Sequence, residues 1–218
     1  HNLANANTVG YKSERVEFSE ALERVLRGEA GLGQVLGTLG TGPIESQRYL
    51  VRESGSAIHT NNPLDVSILS SDGAFGVQVN GQRLYTRNGS FTLNGEGKLV
   101  TKDGYPVLDK DDRPIELETG KPILIDDKGQ VLQGGLPVAE LGIWDSAGWK
   151  RLGSGLLNAA DAKPIEVNLA SGQLEGSNVN AVEAMIDMIK LSRVFEMAQK
   201  VISTEDEASQ KLIQGLQQ

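Results

Sequence analysis

The sequence predicts a mainly β central domain of short antiparallel strands and hairpins. The two chain ends are expected to form a discontinuous helical and extended unit, and the second end is expected to be one long α-helix. Three observations lead there. Apolar and polar residues alternate with period two through much of residues 47–170. Asn-Gly and Asp-Gly pairs punctuate the same stretch at short intervals. From Ser177 to Gln214 there is neither Gly nor Pro, in a chain holding 26 Gly and 7 Pro.

The first segment, residues 1–46, opens polar and Asn-rich, with a turn at Val9-Gly10. Ser13 is expected to cap a short helix running to Arg27, with Phe18, Leu22, Val25 and Leu26 on one face. Gly28 to Pro43 contains six glycines and no sustained period, which reads as an extended linker. The β domain, residues 47–170, follows. Leu64, Val66 and Ile68 alternate with Asp65 and Ser67, and Phe75, Val77 and Val79 alternate with Gly76 and Gln78. Hairpin turns are expected at Asp72-Gly73, Asn80-Gly81, Asn88-Gly89, Asn94-Gly95 and Asp103-Gly104, because these pairs accept positive φ.

The last segment, residues 171–218, carries the helix. Ser177-Asn178 is the expected N-cap ahead of Val179, Glu183 adds favourable charge near the start, and Gly215 is the stop. Such a helix is roughly 55 Å long at 1.5 Å per residue. Val182, Met185, Ile186, Met188 and Ile189 form one apolar stripe. Leu191, Val194, Phe195, Ala198, Val201, Ile202, Leu212 and Ile213 form a second, roughly 140–180° around the helix from the first. A helix packed on one core keeps its stripe on one side, so a stripe that changes sides asks for two neighbours.

Composition narrows the function. A net charge of −8 and a pI near 4.9 argue against nucleic acid and anionic membrane surfaces, which reward clustered Lys and Arg. No apolar run has the length of a membrane span, so no stable membrane insertion is expected. There is no Cys, and the two histidines are His1 and His59. No Gly-x-Ser-x-Gly elbow surrounds a serine, and Gly31 to Gly37 lacks the Lys-Ser or Lys-Thr of a phosphate loop. The acidic groups Asp109, Asp111 and Asp112, and Asp126 and Asp127, do not fit a calcium loop. No catalytic residue, metal site or cofactor is therefore expected. A first residue other than Met leads us to expect that the chain begins inside a longer gene product. Trp144 and Trp149 support an alternative: a carbohydrate-binding or carbohydrate-processing β domain, with the two rings as a sugar-stacking platform.

Three ordered stretches point elsewhere. The first is Asn2-Leu3-Ala4-Asn5-Ala6-Asn7-Thr8-Val9-Gly10-Tyr11-Lys12. The second is Asn62-Pro63-Leu64-Asp65-Val66 with Tyr85-Thr86-Arg87-Asn88-Gly89-Ser90-Phe91 and Gly97-Lys98-Leu99-Val100. The third is Leu174-Glu175-Gly176-Ser177-Asn178-Val179-Asn180, followed by Met188-Ile189, Arg193, Glu196 and Lys200. Together they resemble the axial proteins of the bacterial flagellum, the rod and hook proteins. Ser192-Arg193-Val194-Phe195-Glu196 stands where that family often has Gln-Arg-x-Tyr-Glu; Ser and Phe keep the shape and remove polar contacts.

The resemblance implies a non-catalytic structural subunit of the basal-body rod, proximal ahead of distal, since the middle is too short for a hook protein's extra outer domain. It implies that N- and C-terminal helices pair in the inner tube of a helical polymer, with the family's N-terminal helix preceding Asn2. Implied partners are other axial subunits and copies of the chain itself. The implied location is the basal body, spanning the periplasm, after export without a cleavable secretory signal. The assembly positions it implies are Leu3, Asn5, Thr8, Gly10 and Tyr11 in the first motif and Asn178 and Val179 in the third. On the helix they are Val182, Met185, Ile186, Ile189, Phe195, Ala198 and Ile202.

Overall fold

The computed structural model describes the backbone of residues 1–20, 24–27, 35–39 and 43–215, and the side chains of residues 1–16, 48–208 and 210. Four strands come first: β1 (Glu14–Glu20), β2 (Arg24–Arg27), β3 (Val35–Leu39) and β4 (Pro43–Leu50). β1 pairs antiparallel with β4, and β2 with β3. The helix expected from Ser13 to Arg27 is thus replaced by strand, while Leu22 lies outside the described residues. The local pattern allows both readings, because Val16 and Phe18 also alternate with Arg15, Glu17 and Ser19. Pairing with β4, from Glu14↔Leu50 to Glu20↔Pro43, supplies the ladder that an isolated short helix lacks. β3 likewise occupies part of the expected linker.

The next strands are β5 (Ala57–His59), β6 (Val66–Ile68), β7 (Ala74–Val79), β8 (Gln82–Thr86), β9 (Phe91–Leu93) and β10 (Leu99–Thr101). They are followed by β11 (Ile123–Ile125), β12 (Gln130–Gln133), β13 (Leu136–Glu140), β14 (Ile143–Asp145) and β15 (Lys150–Gly153). The series closes with β16 (Leu156–Asn158), β17 (Lys163–Pro164), β18 (Leu169–Ser171) and β19 (Gln173–Glu175). The largest sheet has six strands in the order β15-β16-β8-β7-β14-β17; β11-β12-β13 form a three-stranded sheet. β18 pairs with β6, and β19 with β5, so the segment leading to the C-terminal helix is stitched to the start of the β region.

The apolar positions of the alternating strands are buried, but so are Asp65 and Ser67 between them, so β6 and the first half of β7 are covered on both faces. Val66, Ile68, Phe75, Phe91, Leu99 and Val107 are almost without exposed surface and anchor the main apolar cluster. A second cluster holds Tyr85, Leu108, Trp144 and Leu157. Trp144 is 2% exposed, so it belongs to the core and cannot offer a face to a sugar. A Cβ on Gly76 would sit 2.2 Å from its ring, which makes a small residue beneath it obligatory. The turn signals divide into two kinds. Asn80 and Gly81, at φ 50° and 79°, close the β7–β8 hairpin in the expected two-residue manner. Asn88-Gly89 does not: a Cβ on Gly89 would lie 1.7 Å from the Val66 carbonyl oxygen, so close backbone approach is the reason for glycine there.

The chain divides into two compact units, residues 7–178 and residues 1–6 with 179–218. The second contains a 3-10 turn at Leu3–Asn5 and α1 (Ala181–Gly215), 35 residues or about 52 Å at 1.5 Å per residue. A β-rich core of short antiparallel strands and a long C-terminal helix are the fold class the sequence predicts.

Candidate assembly site

Within residues 7–178 the three motifs meet at one buried carboxylate, Glu175. Lys12 Nζ lies 2.6 Å from Glu175 Oε1, and Arg87 Nε lies 2.5 Å from Oε2. The side chains of Lys12, Arg87 and Glu175 are 8%, 2% and 5% exposed. The Gly55 amide also donates to Oε1, at 3.1 Å. Lys12 Nζ donates further to the carbonyls of Arg52 (3.2 Å) and Glu53 (2.8 Å). The Arg87 guanidinium donates to the carbonyls of Asp72, Gly73, Ile68 and Ser70. Every charged group in the clasp therefore has partners, as buried ions require. Burial pushes the Lys12 ammonium below the ordinary lysine range against the pull of Glu175, and the facing Arg87 adds to the lowering.

The clasp fixes the path of both ends of this unit. The Gly10 amide donates to the Glu175 carbonyl at 2.7 Å, with Gly10 at φ 68°. A Cβ there would stand 2.5 Å from the backbone of Arg87 and Asn88, so glycine is required twice over, by φ and by space. Tyr11 is buried, its ring 4.1 Å from the Arg151 guanidinium carbon, and its carbonyl accepts from the Asn178 amide at 3.2 Å. The Asn178 side chain accepts from the Ser13 amide at 2.7 Å and donates to the carbonyls of Val51 (3.1 Å) and Glu53 (3.0 Å). Asn178 is thus committed to the β unit, which explains why it does not cap the helix. Asn180 does: its Oδ1 accepts from the amides of Val182 (3.1 Å) and Glu183 (3.3 Å).

Of the positions assigned to assembly, Gly10, Tyr11 and Asn178 come together around the clasp, and the Thr8 carbonyl accepts from the Tyr11 amide. Leu3 and Asn5 are half-buried in the 3-10 turn, where Asn5 donates to the His1 carbonyl, and Val179 is half-buried too. The helix positions behave differently. Val182, Met185, Ile186, Ile189, Phe195, Ala198 and Ile202 are all exposed, Phe195 by 63% and Ile189 by 55%. Met188, Leu191, Val194, Met197 and Val201 are exposed beside them, so both stripes of α1 stand open over the described side chains, outside which Leu212 and Ile213 lie. Sequence reading missed the pairing of Lys12, Arg87 and Glu175. The available signal was a charged residue inside each of the three motifs, within two residues of a glycine or an aromatic position.

The acidic loops have a local explanation. Asp109 Oδ1 accepts from the amides of Asp111 and Arg113, and Asp126 Oδ1 from those of Lys128 and Gln130, so these carboxylates close turns. Among the described residues no group of three or more His, Asp or Glu is placed to hold a metal ion, and no helix is long and apolar enough to cross a membrane.

Apolar surface as extensive as that of α1 is tolerated where other chains cover it, so fold and site define the class of a structural assembly protein. Comparison with known proteins agrees. Residues 68–133 match the model of the flagellar hook protein FlgE/F/G D1 domain, and residues 170–215 that of the flagellar basal body rod FlgEFG protein C-terminal. The chain is 32% identical to the flagellar basal-body rod protein FlgF of Rhizobium meliloti, over 99% of this chain and 88% of that protein. It is 30% identical to FlgG of Bacillus subtilis, over 98% and 90%. It is 34% identical to FlgG of Buchnera aphidicola subsp. Acyrthosiphon pisum, over 98% and 91%. The chain belongs to the FlgF/FlgG family of bacterial flagellar basal-body rod proteins. It is non-catalytic.

Proposed function

We propose that this subunit joins the rod through α1, one stripe pairing with an N-terminal helical segment and the other with neighbouring subunits, copies of itself among them. The carrying observation is the exposure of both stripes, over the described side chains, on a helix of 35 residues, well beyond the ordinary helix of about 10–14. Burial of apolar area is the main drive for association, and a two-sided helix gains it only from two directions. The clasp supports the same reading: it holds residues 10–13 and 173–178 together, so the two ends of the β unit lie side by side. As a rod family member the subunit works with other flagellar axial proteins in the cell envelope. Export without a cleavable secretory signal and a proximal rather than distal position are our further readings, the second supported by the motif Leu174 to Val179. The test is self-association of the full-length chain with and without residues 177–218. Concentration-dependent assembly that the deletion abolishes is expected; a full-length chain that stays monomeric at high concentration would overturn the proposal.

A further inference from the structure

Sulfur is placed unevenly in this chain. It has no cysteine and three methionines, Met185, Met188 and Met197. All three lie on α1, and residues 7–178 contain none, so no sulfur enters the β core. The three are 50%, 54% and 60% exposed. Met185 and Met188 are three residues apart, which makes them neighbours on one face, inside the first apolar stripe beside Ile186 and Ile189. Met197 stands beside the second stripe, three residues after Val194 and four before Val201. Thioethers are among the side chains that peroxides oxidise most readily, and no thiol in this sequence competes with them. The chain's oxidisable sulfur is therefore concentrated on the one helix whose apolar surface stands open.

We propose that these methionines are an oxidation site that controls whether the free subunit can assemble, with a peroxide as the oxidant. The step is a two-electron oxidation: the thioether sulfur takes one oxygen atom, the peroxide O–O bond breaks, and hydrogen peroxide leaves as water. A flexible apolar side chain becomes a polar one. On the exposed helix the new oxygen is solvated, so oxidation leaves the fold intact. Against the apolar side chains that cover such a stripe the same oxygen loses its water, and association weakens by that cost. Covering the stripe also shields the sulfur, so the site acts on subunits before they assemble and not after. This inference rests on the rod-subunit reading and adds to it a chemical condition on α1.

The full-length chain is treated with hydrogen peroxide, oxidation is located by peptide mass spectrometry, and assembly is followed by light scattering beside Met185→Leu/Met188→Leu/Met197→Leu. Leu conserves volume and helix preference, and a thermal melt checks that the fold is kept. The expected result is one added oxygen at each of the three methionines in free subunits, with the concentration needed for assembly raised roughly tenfold or more. The triple variant should assemble with or without peroxide. Methionine sulfoxide reductases A and B, with a dithiol supplying the electrons, should restore assembly of the oxidised wild type. Polymer formed before treatment should be oxidised several-fold more slowly at these positions. Oxidised wild type that assembles normally overturns the proposal, as does a triple variant equally sensitive to peroxide. Equal oxidation of free and assembled subunits overturns it too, because the methionines would then be plain surface groups. An untreated wild type that fails to assemble under any condition refutes the rod-subunit reading itself, and this inference with it.

Discussion

Replacing Glu175 by Ala tests the clasp where its energetics are most concentrated. The substitution leaves the ammonium of Lys12 and the guanidinium of Arg87, 8% and 2% exposed, facing each other with no carboxylate between them. Removing one partner of a buried ion pair costs about 3–5 kcal/mol, because the remaining charge stays desolvated. Here two cations are left, so the upper half of that range applies. In a chain of this size each kcal/mol moves the melting temperature by about 2–4 °C, which places the expected loss near 10 °C or above. Near-ultraviolet circular dichroism follows it well, since Tyr85 and Trp144 sit in the core of the same unit. The lost Gly55 hydrogen bond contributes a smaller share, which Glu175→Gln separates by keeping an acceptor while removing the charge. A melting temperature within about 2 °C of wild type, under about 1 kcal/mol, would refute the view that the clasp holds the two ends in place.

Other substitutions probe neighbouring parts. Gly10→Ala should destabilise by about 3 kcal/mol, from positive φ together with a Cβ 2.5 Å from the Arg87 backbone, read by denaturant midpoint. Arg87→Lys keeps the charge but loses the planar fork that reaches four carbonyls and Glu175; a loss of about 2 kcal/mol or more is expected in the same assay. Asn180→Ala removes the α1 cap and should weaken the first turn by about 1 kcal/mol, seen as faster exchange of the Val182 and Glu183 amides. Ile189→Asp and Phe195→Asp, on opposite stripes, should each leave the melt of the β unit unchanged and reduce assembly. If both lower monomer stability and spare assembly, the two-partner assignment is wrong.

The strength of each sequence reading follows how local its physics is. Alternation through Phe75 to Val79 and the Asn80-Gly81 pair announce a hairpin that forms within a dozen residues. The long helix is equally legible, since no Gly or Pro interrupts it. Its start was not: Ser177-Asn178 and Asn180 are both credible caps, and the choice is made by amides and carbonyls of residues 13, 51 and 53, which claim the Asn178 side chain. Glu14 to Glu20 and Arg24 to Arg27 suit helix or strand, and pairing with residues outside each segment decides for strand. The clasp lay furthest out of reach. Lys12 and Glu175 are 163 residues apart, Arg87 and Glu175 are 88 apart, and nothing in spacing joins them. Trp144 illustrates the converse, an aromatic residue that looks available in sequence and is enclosed in space.

The central claim is that α1 holds this subunit in the rod. Its most direct test is to locate the tagged full-length chain in purified basal bodies, with a cross-linker placed at Ile189 or Phe195. The account predicts that wild-type chain is retained in the rod fraction and that both positions cross-link to axial subunits. Absence from basal bodies, or retention with neither α1 position touching another subunit, would contradict it.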